Sequence, residues 1–233
     1  MAKLRPLGTA PLGDLAAYVE FSRTLDLEVN EMVQRLAVAV QRRGVPWVRD
    51  VVPALGGLAL HFHESFQGNP LQFAAELVNE CIKHGLPAAK EFERMISVPV
   101  CYDPELAPDL AEVAQLLKIS AEEVVQRHIA AEYRVLMIGF APGHAYMGSP
   151  DAKLPVPRRA TPRTQVPGGS VAIANDQTVV YPYAIAGGWS VIGRTPLVVF
   201  DAARVRPSLF EPGDRVRFRP IPRQEFDRMA EPL

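Results

Sequence analysis

The chain has 233 residues, 48% hydrophobic and 22% charged, and its 22 prolines are about twice what an average usage of roughly 5% gives. That composition is globular, and 25 Lys and Arg against 26 Asp and Glu leave a net charge of -1, which removes any whole-chain electrostatic case for nucleic acid or membrane binding. No apolar run nears the roughly 18 residues of a membrane span, and Met1-Ala2-Lys3-Leu4-Arg5-Pro6 lacks the apolar core of a signal peptide, so a soluble, cytoplasmic protein is expected. Cys81 and Cys101 are too few for a disulfide scaffold and form no C-x-x-C pair for metal or redox work, which leaves them as buried thiols. The balanced charge hides a split. Residues 1 to 133 carry 12 basic and 18 acidic side chains, whereas 134 to 233 carry 13 basic and 8 acidic, together with 13 of the prolines.

Taken in order, Leu15 to Ser22 reads as a strand, and from Asp26 the residues Val29, Met32, Val33, Leu36, Ala37 and Val40 recur at helical spacing until Arg42-Arg43-Gly44 ends the run. Trp47 to Val52 and Leu58 to His63 form a hairpin around Pro53 and Gly56-Gly57. Asn69-Pro70 supplies an N-cap and a first-turn proline for a helix with Phe73, Leu77 and Cys81 on its apolar face, ending at His84-Gly85. Met95 to Tyr102 is one more strand. The resulting order, strand, helix, strand, strand, helix, strand, is the split βαβ, ferredoxin-like α+β arrangement over residues 1 to 102.

Residues 103 to 132 read as a helical connector, with Asp109 to Leu117 as one helix and Ser120-Ala121-Glu122-Glu123 as a capping box for another. From Tyr133 the helical period disappears. Val135 to Phe140, Val171 to Ala174, Thr178 to Tyr181, Val191-Ile192, Leu197 to Phe200 and Val216 to Phe218 are short β-like runs between Pro-Gly and Gly-Gly turns, the signature of an all-β barrel or sandwich over 133 to 222. Residues 223 to 233 are expected to be a loose tail.

There is no G-x-x-x-x-G-K-[ST], G-x-G-x-x-G after a strand, G-x-S-x-G or H-E-x-x-H, which argues against a self-contained NTPase, dehydrogenase or serine hydrolase. His61 and His63 project to one face of a strand but read as a polar strand edge, and His84 suits the carbonyl end of its helix, so no metal site is expected. The second half is richer. Lys153, Arg158, Arg159, Arg163, Arg194, Arg204 and Arg206 outnumber Asp151, Asp176 and Asp201, which favours a small anionic ligand. The turns Pro142-Gly143-His144-Ala145-Tyr146 and Pro167-Gly168-Gly169-Ser170 offer backbone amides, Arg158 and Arg163 a bidentate clamp, and Gln177, Thr178, Tyr181, Tyr183 and Trp189 neutral donors and aromatic walls. The structural alternative assigns the glycines to barrel corners, the aromatics to the core and the arginines to a solvated surface.

A resemblance adds to this. Gly139-Phe140-Ala141-Pro142-Gly143, Pro157-Arg158-Arg159-Ala160-Thr161-Pro162-Arg163, Val166-Pro167-Gly168-Gly169-Ser170, Gln177-Thr178, Tyr181-Pro182, Gly187-Gly188-Trp189, Ile192-Gly193-Arg194-Thr195-Pro196 and Pro212-Gly213-Asp214 follow in order the pattern of a known family. By these motifs the chain resembles the family of the 5-oxoprolinase B subunit, also called allophanate hydrolase subunit 1 or Kip-inhibitor-like, itself similar to part of the carboxyltransferase domain of urea carboxylase. The resemblance implies a ferredoxin-like domain followed by a cyclophilin-like barrel. It also implies action with a homologous larger partner, of the 5-oxoprolinase C-type or allophanate hydrolase subunit 2 type, and with a third, A-type partner. The implied reaction opens 5-oxoproline to glutamate with ATP, and Mg is expected at the level of the complex, with no cofactor on the isolated chain. Alternatives within the family are an inhibitor of a sensor histidine kinase and a carboxyltransferase component of a biotin-dependent system.

On this footing His128, His144, Arg158 and Arg163 are the catalytic candidates, and Tyr146, Gly168, Gly169, Ser170, Gln177, Thr178, Tyr181, Trp189 and Arg194 the ligand-binding ones. The chain departs from the family pattern where His144 stands for a usual Phe, Asn175 for a usual Gly, Val179 for a Gly or Ala, and Ile185-Ala186 for Ser-Pro, all expected near the pocket and suited to altered specificity.

Overall fold

A computed structural model describes residues 5 to 88 and 94 to 231 of the chain, which divides after Glu93 into two compact units. In the first, strands β1 (Gly8–Pro11) and β2 (Ala16–Glu20) precede helix α1 (Leu27–Arg42), strands β3 (Val48–Pro53) and β4 (Gly57–Phe62) follow, and helix α2 (Pro70–His84) comes last. The sheet order is β1-β2-β4-β3, antiparallel throughout. Both helix starts follow from their capping residues. The Asp26 carboxylate accepts the amides of Glu28 and Val29 at 3.0 and 3.1 Å, and the Asn69 side chain accepts those of Leu71 and Gln72 at 2.9 and 3.2 Å. Val33, Leu36, Ala37 and Val40 of α1 and Ala74, Leu77, Val78 and Cys81 of α2 then close over the β2 and β4 side chains Val19, Leu58 and Leu60 in one core.

The strand expected to complete this sheet does not join it. β5 (Met95–Val100) pairs in parallel with β13 (Arg215–Pro220), from Met95 against Arg215 to Val100 against Pro220, and so belongs to the second unit. Its Val98 and Val100 are buried with Val216 and Phe218, an apolar face that fits either sheet as far as its own pattern goes. The edge of the first sheet is taken instead by β1, a four-residue Gly-Thr-Ala-Pro segment too short and too exposed to show a strand period.

The second unit is built on a seven-stranded sheet among the described residues. Between β5 and β13 at one end and β12 (Ser190–Arg194) at the other, its order runs through β6 (Tyr133–Ile138), β7 (Ala145–Gly148), β10 (Gln177–Val180) and β9 (Ser170–Ala174). Cys101, just past β5, forms an antiparallel bridge with Arg194 of β12, with N–H to carbonyl distances of 2.8 and 2.9 Å, so the two edges meet and the sheet is nearly closed. Asn175 and Asp176, at φ 50° and 59°, make the two-residue turn between β9 and β10, a position for which Asn and Asp are well suited. Asn175 therefore serves the turn, and Val179 packs in the core with Trp189 and Tyr181.

Helix α3 (Leu110–Leu117) and helix α4 (Ala121–Ala130) fill the expected connector. The capping box at Ser120 is half made: its hydroxyl accepts the Glu123 amide at 3.1 Å, but the Glu123 carboxylate turns to Arg127 at 2.8 Å. A ribbon of β8 (Arg163–Val166) and β11 (Ile185–Gly187) stands apart from the main sheet, and Leu197 to Phe200 contributes a single bridge, Phe200 to Ser208, in place of a strand. The expected tail is ordered as far as helix α5 (Arg223–Ala230), whose Phe226 is buried against Cys101 and Ile221. Burying such a ring is worth about 2 to 3 kcal/mol, which anchors the helix. Among the described residues no helix is long and apolar enough to cross a membrane.

Candidate functional site

A cavity of about 280 Å³ opens in the second unit, between the β6–β7 turn, the segment before β8 and the β11–β12 turn. Its aromatic wall is Phe140, Tyr146, Tyr181 and Trp189, and its cations are Arg158 and Arg159. The β6–β7 turn brings His144 into the wall, with its amide donating to the Ala141 carbonyl at 3.0 Å and the Gly139 amide donating back to the His144 carbonyl at 3.1 Å. Phe140 sits at the turn with φ 71° and 70% of its surface exposed, a left-handed backbone that costs a bulky residue about 1 to 2 kcal/mol.

His144 is only 2% exposed. Its ring lies 5.3 Å from Tyr181, 5.0 Å from Tyr146 and 5.4 Å from Phe140 between centroids, and Nδ1 finds no hydrogen-bond partner. Burial pushes its pKa down to about 4, offset only in part by its own backbone, so the ring is neutral at pH 7. Tyr181 is held up to about 12, chiefly by burial, and Gly187 leaves room for it, since a Cβ there would fall 2.0 Å from the phenol oxygen. Burial also raises the Tyr146 phenol, and the positive charge of Arg158 works against that rise.

The two cations differ in availability. The Arg158 guanidinium lies 5.5 Å from the Trp189 ring centre and makes no ion pair among the described residues, so its charge faces the open cavity. Arg159 lines the same cavity but spends its guanidinium on Asp109 at 3.1 Å and Glu112 at 2.8 Å. Arg163 is committed further. It grips Asp109 through two hydrogen bonds of 2.7 and 2.6 Å, while Asp109, 2% exposed at the start of α3, also accepts the Val191 amide at 2.7 Å. Arg163 therefore ties α3 to β8 and is not free to clamp a ligand.

Of the other candidates, His128 is a core residue. It is wholly buried, stacks on Phe218 at 4.4 Å, and has the Tyr102 hydroxyl 2.8 Å from Nδ1 and the Thr178 hydroxyl 3.4 Å from Nε2. Burial alone drives its pKa to about 3, and it does not line the cavity. Thr178 faces this interior, and Gln177 beside it on β10 is likewise away from the cavity wall. Two amides of the Pro167 to Ser170 turn are spent on the backbone: Gly169 donates to Tyr181 at 2.7 Å and Ser170 to Pro167 at 3.2 Å. Gly169 is needed there because φ is +78° and a Cβ would lie 2.4 Å from the Thr195 carbonyl oxygen. Arg194 donates to the Gly168 carbonyl at 2.9 Å and belongs to the same corner. Gly168, Gly169, Ser170 and Arg194 thus build the barrel corner. The structure brings together His144, Tyr146, Arg158, Tyr181 and Trp189 with Arg159 of the basic set, and adds Phe140 and the Gly187-Gly188 turn, which residue chemistry alone did not single out.

What this cavity can do is hold a small carboxylate against Arg158 between aromatic faces, beside the neutral His144 ring. Residues 7–210 match a family model described as carboxyltransferase domain, subdomain C and D. The chain is 35% identical over 228 residues to the 5-oxoprolinase B subunit of Bacillus subtilis (strain 168), covering 94% of this chain and 95% of that one. It is 37% identical over 211 residues to the 5-oxoprolinase B subunit of Escherichia coli O157:H7, covering 90% and 94%. Among solved structures, the K. lactis urea amidolyase shares the fold with a TM-score of 0.76 at 18% identity, over 97% of this chain but 16% of that far longer one. The chain belongs to the carboxyltransferase-domain family of subdomains C and D and, within it, to the B-subunit proteins of 5-oxoprolinase.

Proposed function

We propose that this chain is the B-type subunit of a cytoplasmic, ATP-dependent 5-oxoprolinase, which opens the ring amide of 5-oxoproline to give glutamate. The observation that carries the reading is the cavity itself: a cation without an ion pair among the described residues, Arg158, over an aromatic floor, in a volume suited to a small metabolite. Arg158 would hold the substrate carboxylate, and Tyr146, Tyr181 and Trp189 would exclude water from the apolar edge of the ring. The same features do not fit a nucleotide. The space is small for a nucleoside triphosphate, and the Gly169 and Ser170 amides, suited by position to cradle a phosphate, are already bonded. ATP, with Mg, is accordingly assigned to the complex with a C-type and an A-type partner. The first unit is read as a ferredoxin-like α+β domain whose fourth strand comes from β1, and the nearly closed sheet as a cyclophilin-like barrel. The kinase-inhibitor reading has no observation in its favour, and the urea amidolyase likeness shows the fold alone.

The test is reconstitution. Purified with its two partner subunits, the chain should support ATP-dependent conversion of 5-oxoproline to glutamate, and activity should vanish when it is left out. Full turnover without this chain would overturn the assignment.

A further inference from the structure

One carboxylate outside the cavity holds two of its walls together. Asp109 stands at the N-cap of α3, where an Asp ordinarily accepts amides of the first turn, as Asp26 does for α1, yet its side chain makes no capping bond to its own helix. Oδ1 accepts Arg159 at 3.1 Å and Arg163 at 2.6 Å, and Oδ2 accepts Arg163 at 2.7 Å and the Val191 amide at 2.7 Å. The backbone repeats the link: the Asp109 amide donates to the Val191 carbonyl at 3.0 Å, and the Arg159 amide to the Gly188 carbonyl at 2.8 Å. Between Gly148 of β7 and Arg163 of β8 no helix or strand supports the chain, so the place of Arg158 depends on such bonds. Arg158 is next to one anchored residue and Trp189 is two positions before another. The Arg158–Trp189 contact is thus framed by groups that converge on a side chain that does not itself line the cavity.

We propose that Asp109 is a positioning residue, which fixes the Arg158 segment against the Trp189 turn and so sets where a ligand carboxylate meets the Arg158 guanidinium. This rests on the reading of the cavity as the 5-oxoproline site and traces its geometry to a residue that does not touch the ligand. The charge of Asp109 contributes as well as its reach. With Glu112 it answers Arg159, and so leaves Arg158 as the cavity-lining arginine without an ion pair among the described residues, one cation for one carboxylate. A guanidinium already held in place loses less freedom when the ligand arrives, which is how positioning becomes affinity.

The experiment is a double-mutant cycle on the binding of 5-oxoproline to the reconstituted complex without ATP, measured by calorimetric titration. Asp109→Asn keeps the shape of the side chain and removes its charge, and should weaken binding about tenfold, with Arg158→Gln weakening it at least as much. In the Arg158→Gln background, Asp109→Asn should cost less than about twofold, because the group it positions is gone. A purely structural role would give equal losses in both backgrounds, and that result, or unchanged affinity in Asp109→Asn, overturns the inference. If Asp109→Asn does not fold, Arg163→Lys, which keeps the charge and loses the bidentate grip on Asp109, is put through the same cycle and judged by the same outcomes. Arg158→Gln keeps the two readings apart. If it weakens binding while Asp109→Asn does not, the carboxylate site stands and the positioning role falls. If Arg158→Gln binds 5-oxoproline as before, the cavity is not the carboxylate site and both readings fall.

Discussion

Two buried histidines in the second unit, His128 in the barrel interior and His144 at the cavity, have the same chemistry and opposite surroundings. Both are held neutral by burial, with pKa values of about 3 and about 4. The interior histidine has hydroxyls from two other elements on its two nitrogens and a phenyl ring stacked on its face, so its polar atoms are consumed by the fold. The cavity histidine keeps an unpartnered nitrogen and has aromatic edges around it in place of hydroxyls. Burial and a depressed pKa therefore do not by themselves mark a functional histidine, since His128 has both and its hydrogen bonds are consumed by the fold.

The largest test of that contrast removes the interior ring. His128→Ala takes away a stacked side chain and strands the Tyr102 and Thr178 hydroxyls, and should cost about 3 to 4 kcal/mol in urea unfolding. His144→Phe should cost nothing or stabilise by about 1 kcal/mol, because it removes an unpaired nitrogen. Equal losses at the two sites would break the comparison. Next in size is Asp109, which holds the cavity-lining segment through Arg159 and Arg163. Asp109→Ala should destabilise by about 2 to 3 kcal/mol, below the range for a fully buried pair because both arginines are partly solvated. It should also weaken ligand binding in the complex, whereas the same stability lost at His128 should not.

Acid sharpens the comparison further. Below about pH 6.5 the unfolded chain binds a proton at each of these histidines that the folded chain refuses, so stability is undiminished above that pH and falls as pH drops toward the folded values. Each contributes a slope of about 1.4 kcal/mol per pH unit. His144→Phe should remove its share and leave the His128 share, which unfolding measured at about pH 5.5 and 4.5 would reveal; an unaltered slope would mean that His144 is not held neutral. The smallest effect is at the cavity lip. Phe140→Gly relieves the left-handed backbone of an exposed ring and should raise stability by about 1 kcal/mol, read as a shift in the urea midpoint.

Local elements were legible where the sequence carries its own stop and start chemistry. Asp26, Asn69-Pro70 and His84-Gly85 frame α1 and α2 where the periodicity ends, and the Gly-Gly hairpin lies where expected. The cavity was half legible. His144, Tyr146, Arg158, Tyr181 and Trp189 are conspicuous as residue types, but Arg163 is equally conspicuous and is taken by Asp109, some fifty positions away in sequence. Phe140 carries no such signal, because its left-handed φ is a property of a folded turn and not of a phenylalanine.

By itself, then, the sequence determined the helices with their caps, the change from helical to short-strand patterning near Tyr133, the basic character of the second half and, through its ordered motifs, the family. Those are set by neighbours along the chain, whose contributions add locally. Only the tertiary structure decided that β5 joins β13 and not the first sheet, that Gly168 to Ser170 build a corner, and which cation and which histidine remain uncommitted. Each of these depends on hydrogen-bond partners supplied from distant positions, and a donor or acceptor is free for a ligand only after the fold has taken what it needs.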